Sequence, residues 1–178
     1  PQIAGTIQVD GLKAPVRGGE GDDGSRGADP HVWHDPTNAK QMVANIAHAL
    51  SSAFPDRADT VARNAAAYEA KLDTTDAEIK QLIASIPVAN RKLITNHDAL
   101  GYFAATYGFH IVGMVVPSVS TVAEPSAVQI AQLIDTIRSQ SVPAVFAGAT
   151  VSPTLSQQVA DEAGAQFYTL YTESLTEG

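Results

Sequence analysis

Two short segments of this chain place histidine beside carboxylate. Residues 29–36 read Asp-Pro-His-Val-Trp-His-Asp-Pro, a proline-bounded turn that holds two histidines and two aspartates. Residues 96–98 read Asn-His-Asp and directly follow a short apolar run. Imidazole and carboxylate groups are ligands that divalent first-row metal ions accept in proteins. Because the pairing occurs at two distant places, the sequence predicts a divalent metal site assembled by the fold.

The overall composition narrows the class of protein. The chain has 178 residues, 44% of them hydrophobic and 17% charged, which is ordinary for a globular protein. The net charge of −8, with only 11 Lys and Arg residues, argues against nucleic acid as a partner because phosphate binding needs clustered basic side chains. The chain has no cysteine, so a metal would be held by imidazole and carboxylate. It starts at Pro1 with no leader pattern, from which we expect a processed or trimmed product.

Composition and periodicity divide the chain into three parts. Residues 1–54 are expected to be the tail end of an N-terminal lobe: a short strand over 3–9, a Gly- and Asp-rich loop over 10–28, the metal turn over 29–36 and an amphipathic helix over 38–54. Residues 55–87 are predicted to form one long linking helix of roughly 45 Å, bounded by two prolines. Its apolar face is predicted to consist of Val61, Ala65, Tyr68, Leu72, Ile79, Leu82 and Ile86.

Residues 88–178 are predicted to form a C-terminal α/β lobe, a parallel sheet with flanking helices, because short apolar runs alternate with helical patterns. In such sheets ligands bind at the carboxyl ends of the strands. His97 follows the first predicted strand and Glu173 follows the last, so both are expected at that edge. The strands are predicted at 92–95, 109–115, 144–146 and 166–170, and the helices at 98–107, 124–140 and 154–163.

A three-ligand set follows from this arrangement. His97 and Glu173 would lie on rigid strand ends, and His31, in the proline-bounded turn, is the candidate for the third position. Two neutral imidazoles and one carboxylate leave Zn²⁺ a charge of about +1 and a position for a fourth ligand or a water. Among the neighbouring residues, His34 is a possible additional ligand. Asp35 and Asp98 are possible helix N-caps, or possible second-shell residues whose carboxylates accept hydrogen bonds from the ligating imidazoles.

Each of these residues also has an ordinary alternative. A histidine in a turn or after a strand can be an exposed residue or a helix cap, and an acidic residue such as Glu173 is commonly a surface group. Two further histidines do not fit the site: His48 lies opposite the apolar stripe of its helix and is expected to be solvated, while His110 begins a strand and is expected to be structural.

The order of several motifs resembles the extracytoplasmic solute-binding proteins of bacterial zinc and manganese ABC importers, the ZnuA/TroA-like group. The resemblance covers about residues 29–175, and its matching segments are 29–33, 35–36, 38–40, 64, 68–72, 97–103, 107–108, 124–126 and 171–175.

The resemblance implies two lobes joined by a long helix, and a bound divalent metal ion coordinated by His31, His97 and Glu173. The ion would be delivered to a membrane permease outside the cytoplasm, by a periplasmic protein or a membrane-anchored lipoprotein. Histidine rather than glutamate at position 97 favours Zn²⁺, with Mn²⁺ and Fe²⁺ as alternatives, because imidazole is the softer ligand.

The chain also departs from that family. No histidine precedes His31, so the ligand that the family draws from its N-terminal lobe has no counterpart, and most of that lobe is expected to be missing. Glu173 stands where most members have aspartate, and His34 replaces an apolar residue. Residues 146–148, Phe-Ala-Gly, stand where the family tends to carry a glutamate after the strand.

Three classes of function fit these observations. The first is a metal receptor for an ABC importer, without enzymatic activity. The second is a zinc-dependent hydrolase, since three protein ligands and an open position also activate water. The third is an adhesin or scaffold that binds no metal.

Overall fold

The computed structural model describes residues 29–116, 125–150 and 152–172. The described residues form two compact units. The helical unit comprises Val32–Ser85, and the sheet unit comprises residues 29–31 together with the described residues from Ile86 onwards. The strand expected over 3–9 and the loop expected over 10–28 lie outside the described residues, and the domain boundaries drawn from the sequence stay a prediction.

The helical unit contains two α-helices, each preceded by a 3₁₀ turn. The first turn, Val32–His34, leads into α1 (Pro36–Ala53), and the second, Pro55–Arg57, leads into α2 (Ala58–Ala84). Helix α1 begins where the sequence has Asp-Pro. The Asp35 carboxylate accepts the Thr37 N–H at 2.8 Å, and Pro36 occupies the first turn, where its missing N–H costs nothing. Helix α2 has 27 residues and is about 40 Å long.

The apolar face predicted for α2 is partly wrong. Tyr68 and Leu82 are 52% and 71% exposed, whereas Ile83 is buried. Helix α2 packs against α1 within the unit, and a packed helix pair selects positions that repeat every 3.5 residues. That seam includes two acidic positions, which the apolar pattern alone assigns to solvent. Its members, all buried or half-buried, are Ala65, Glu69, Leu72, Asp76, Ile79 and Ile83.

The sheet unit has four parallel strands, as predicted. They are β1 (Lys92–Thr95), β2 (His110–Met114), β3 (Ala144–Gly148) and β4 (Gln166–Leu170), in the spatial order β2-β1-β3-β4. The chain passes from β1 to one neighbour and later returns on the other side of β1, so the strand order reverses between β1 and β3. Ligands bind in open α/β sheets outside the carboxyl ends of the strands at such a point.

Three helices cover the sheet: α3 (Gly101–Tyr107), α4 (Ala127–Ser139) and α5 (Thr154–Ala163). Helix α3 begins three residues later than predicted. Ser126 caps α4 in a reciprocal arrangement with Gln129, which satisfies two backbone N–H groups. Helices α3 and α5 end at glycines in the left-handed conformation, Gly108 and Gly164, where the sequence predicts their ends.

Alternate strand residues face two apolar cores, one on each side of the sheet. One core joins Ile94 and Val145 to α4 and α5, and the other joins Leu93 to α3. Ile94 and Val145 have no exposed surface, and each such side chain contributes about 1.5–3 kcal/mol on burial. The strands are therefore fixed in register from both faces, and their carboxyl ends are rigid positions.

Candidate metal site

His31 lies in a turn that its neighbour Asp29 closes. One carboxylate oxygen of Asp29 accepts the backbone N–H of His31 at 2.9 Å and lies 2.7 Å from the ring Nδ1 of the same histidine. Asp29 is 8% exposed and His31 is 4% exposed. The imidazole is therefore held in one orientation inside the protein, and the exposed turn histidine of the alternative interpretation is excluded.

His97 follows β1 after a single intervening residue and is almost completely buried, with 1% of its surface exposed. Its backbone carbonyl accepts the Thr95 hydroxyl at 2.8 Å and the Ala99 N–H at 2.9 Å. These two bonds fix a tight turn between the strand and α3. The end of β1 thus sets the position of the His97 backbone.

The fold brings His31 and His97 together. Their ring centres are 5.3 Å apart and the ring planes meet at 68°. Two imidazoles bound to one tetrahedral zinc ion through Zn–N bonds of about 2 Å have ring centres about 5 Å apart. The separation of 5.3 Å is compatible with two ligands of one small cation, and it also lies within the range of an ordinary edge-to-face ring contact.

The strand ends beside this pair are tied to one another. The side-chain oxygen of Asn96 accepts the Gly148 N–H at 3.3 Å, and its backbone carbonyl accepts the Val116 N–H at 2.7 Å. Asn96 therefore joins the ends of β1 and β3 and the residue stretch after β2. A Cβ atom on Gly148 would lie 2.6 Å from the Thr172 hydroxyl oxygen, so glycine lets the segment after β4 approach the same edge.

The remaining predicted residues have different outcomes. Glu173 lies outside the described residues, and within the described parts of the chain there is no group of three or more metal-ligating side chains. His34 belongs to the helical unit, where its ring lies 5.7 Å from that of Trp33. Its role as an additional ligand stays a prediction.

Asp35 and Asp98, predicted as helix caps or as acceptors that orient the imidazoles, differ in whether they cap a helix. Asp35 is the N-cap of α1, as predicted. The prediction that Asp98 caps the next helix is wrong, because α3 begins at Gly101 after Leu100 without a side-chain cap. A role for either aspartate in accepting a hydrogen bond from a ligating imidazole stays a prediction. His48 is exposed, as expected, and His110 is also exposed at the start of β2.

The sequence motifs did not single out Asp29, which stood only as a neighbour of His31. In the structure its carboxylate makes two contacts with that histidine. A signal was present, because an aspartate two residues before another residue commonly accepts that residue's backbone N–H in an Asx turn.

Comparison with known proteins decides the family. The family model described as "Zinc-uptake complex component A periplasmic" (ZnuA) matches residues 2–178. The chain belongs to this family. The resemblance inferred from the motifs is therefore confirmed, and so is the extracytoplasmic location, because the family is periplasmic. The family description is that of an uptake component, which is a transport role.

Relatives of the chain are named for different metals. The chain is 37% identical to the iron-binding protein YfeA of Yersinia pestis over 84% of its own length and 48% of that protein. It is 32% identical to the zinc-binding lipoprotein AdcA of Streptococcus pneumoniae over 97% of its length and 36% of that protein. The chain thus spans half or less of these relatives.

Solved structures agree with the fold. A crystal structure of ZnuA is 33% identical, with a TM-score of 0.74 over 83% of this chain and 53% of that chain. A Mn-bound periplasmic metal-binding protein from candidatus liberibacter asiaticus is 28% identical, with a TM-score of 0.79 over 95% of this chain and 61% of that chain.

A laminin-binding adhesin of Streptococcus agalactiae is 26% identical, with a TM-score of 0.78 over 88% of this chain and 58% of that one.

Across the described residues, no helix is both long enough and apolar enough to cross a bilayer.

Proposed function

We propose that this chain is the metal-binding part of an extracytoplasmic receptor that captures Zn²⁺ and delivers it to the permease of an ABC importer. His31, His97 and Glu173 are its metal ligands. The family assignment supports uptake of a metal ion, and the arrangement of this chain's own residues supports the ligand set.

The buried pair of His31 and His97 carries the proposal. Both rings are buried, with 4% of His31 and 1% of His97 exposed. Imidazole nitrogen is a ligand atom that zinc accepts in proteins. The ring separation of 5.3 Å fits two ligands of one ion, and His97 lies at the point where the strand order reverses.

The position of Thr172 supports Glu173 as the third ligand. Thr172 lies against Gly148, whose N–H is bound by Asn96, the residue next to His97. Thr172 is therefore at the same edge of the sheet as His97, and Glu173 is the next residue in the sequence. A carboxylate delivered there would bring the total charge around a 2+ ion closer to zero.

The donor set favours zinc among the metals that relatives bind. Imidazole nitrogen is a good ligand for Zn²⁺, whereas Mn²⁺ prefers sites dominated by oxygen ligands. Two of the three proposed ligands are imidazoles. Fe²⁺ and Mn²⁺ are the competing ions, since relatives are named for iron and are described as Mn-bound.

Isothermal titration of Zn²⁺, Mn²⁺ and Fe²⁺ into the intact protein tests the proposal. We expect tight binding, with zinc the tightest, and no turnover in a parallel esterase and phosphatase screen. Replacing His97 with Ala should weaken zinc binding at least about tenfold, equivalent to about 1.4 kcal/mol. His48→Ala, which removes an exposed histidine from α1, is the matched control and should leave the affinity unchanged.

Two outcomes would contradict the proposal. Turnover that depends on zinc and is lost in His97→Ala would favour the hydrolase. The proposed metal site would be ruled out if none of the three ions binds tightly, or if His97→Ala and His48→Ala bind zinc with equal affinity.

A further inference from the structure

We propose that Asp29 is a positioning residue that holds His31 in the tautomer with the proton on Nδ1, so that the Nε2 lone pair is the one offered to the metal ion. The inference rests on the proposed function, because it assigns a role to Asp29 in the same site. It concerns a state of His31 that can be measured before any metal is added.

The geometry around Nδ1 gives the tautomer. A separation of 2.7 Å between Nδ1 of His31 and Oδ1 of Asp29 requires a proton between the two atoms. In a contact between a ring nitrogen and a carboxylate oxygen, the nitrogen donates and the oxygen accepts, so the contact assigns the proton to Nδ1. A neutral imidazole with its proton on Nδ1 has its lone pair on Nε2, so Nε2 is the atom that would coordinate a metal ion.

Two contacts from one carboxylate oxygen make this arrangement rigid. Asp29 accepts the backbone N–H of His31 as well as the ring N–H, so the backbone and the side chain of the histidine are fixed by the same atom. The ring therefore keeps its orientation without the metal. A carboxylate behind a ligating imidazole also raises the basicity of the ligating nitrogen.

The charge of Asp29 points to a cation as well. Burying a carboxylate is costly unless it is hydrogen-bonded and its charge is compensated. Its two contacts with His31 supply the hydrogen bonds, and a divalent ion held by that histidine would supply positive charge. Together with Glu173, Asp29 would balance the two charges of the ion.

Tyr102 connects this turn to the segment that carries His97. Its hydroxyl donates to the backbone carbonyl of Asp29 at 3.4 Å, and both residues are buried. Tyr102 is on α3, which begins four residues after His97. A shift of the turn would therefore have to break a contact with α3, so the two ligands are held as one assembly.

Nitrogen NMR of the metal-free protein and zinc titration together test the inference. The wild type should show His31 with its proton on Nδ1. Asp29→Ala should give a mixture of tautomers and about 10–100-fold weaker zinc binding, the range measured for outer-shell partners of ligating histidines. Asp29→Asn keeps a neutral acceptor and should retain most of the Nδ1–H tautomer with a smaller loss of affinity.

Two further variants separate positioning from general damage. Asp135→Ala removes an equal charge from the exposed face of α4 and should change neither readout. Tyr102→Phe removes the hydroxyl and with it the bond to the Asp29 carbonyl. Because the Asp29 carboxylate contacts with His31 remain, Tyr102→Phe should leave the tautomer unchanged and lower the zinc affinity less than Asp29→Ala does.

The results distinguish failure of this inference from failure of the proposed function. If His31→Ala abolishes zinc binding while Asp29→Ala retains the wild-type tautomer and affinity, the role of Asp29 is wrong and the metal site stands. If His31→Ala binds zinc as the wild type does, the proposed function fails, whatever the tautomer.

Discussion

The sheet unit and the helical unit differ in what they bury. The sheet unit has an apolar core on each face of the sheet, and the two imidazoles of the candidate site are also buried in this unit. Among the described residues of the helical unit, the buried ones are Asp35, Asn38 and Ile83. Its other seam residues are half-buried. The candidate metal ligands, whose distances must be fixed, thus lie in the unit whose backbone is packed from both faces of a sheet.

The largest loss of stability is expected from a substitution in the core of the sheet unit. Replacing Ile94 with Ala removes a side chain with no exposed surface from the strand that leads to His97. We expect the free energy of unfolding to fall by about 2–5 kcal/mol, because the deletion leaves a cavity between the sheet and α4. Urea denaturation measures this change.

Two variants sharpen that test. Leu72→Ala, at a half-buried position of the α2 seam, should cost less than Ile94→Ala. Val128→Ala, 65% exposed on α4, should stay within about 0.5 kcal/mol of the wild type. An equal loss for Leu72→Ala and Ile94→Ala would contradict the comparison between the two units.

An intermediate effect is expected at the edge of the sheet. In Gly148→Ala the new Cβ would lie 2.6 Å from the Thr172 hydroxyl oxygen, so one of the two must move. Overpacking of this kind costs about 1–3 kcal/mol. Zinc affinity should also fall, because Thr172 precedes the proposed ligand Glu173.

A double variant shows whether that contact is the cause. Thr172→Ala removes the hydroxyl that the new methyl group meets, so adding it to Gly148→Ala should restore both stability and zinc affinity. Ala149→Ser, an exposed change one residue further on, is the control and should alter neither. Failure of the double variant to recover would show that the edge of the sheet is not organised by this close approach.

The smallest effect is expected on the surface of the helical unit. Lys40 on α1 donates to Asp73 on α2 at 2.6 Å, and this hydrogen bond raises the pKa of Lys40. Exposed ion pairs contribute little to stability because water and salt screen them. Lys40→Ala should therefore leave the melting temperature unchanged within error, and a clear drop would mean that surface charge holds the helix pair together.

Much of the fold follows from local patterns. The bounds of β1, α5 and β4 agree with the prediction to the residue, because each is a short apolar run or an amphipathic stretch bounded by turn residues. The parallel sheet follows from their alternation. The predicted start of α3 was wrong because residues assigned to the helix instead form a turn at His97.

The buried face of α2 shows the limit of periodicity. The predicted face and the seam share Ala65, Leu72 and Ile79 and differ in whether the next position lies three or four residues further on. Only contact with α1 selects between these two alternatives. The sequence favoured Tyr68 and Leu82 because they are apolar. Packing instead turned Glu69 and Ile83 toward the seam.

The sequence alone determined which chemistry this protein can offer. Histidine and carboxylate in two short motifs, with no cysteine, restrict a metal site to nitrogen and oxygen ligands, since residue type sets ligand type. The tertiary structure decided which of those groups meet. It placed His31 beside His97 and made Asp29 the partner of His31, because hydrogen bonds and packing between segments distant in the chain, rather than local sequence, set distances in a folded protein.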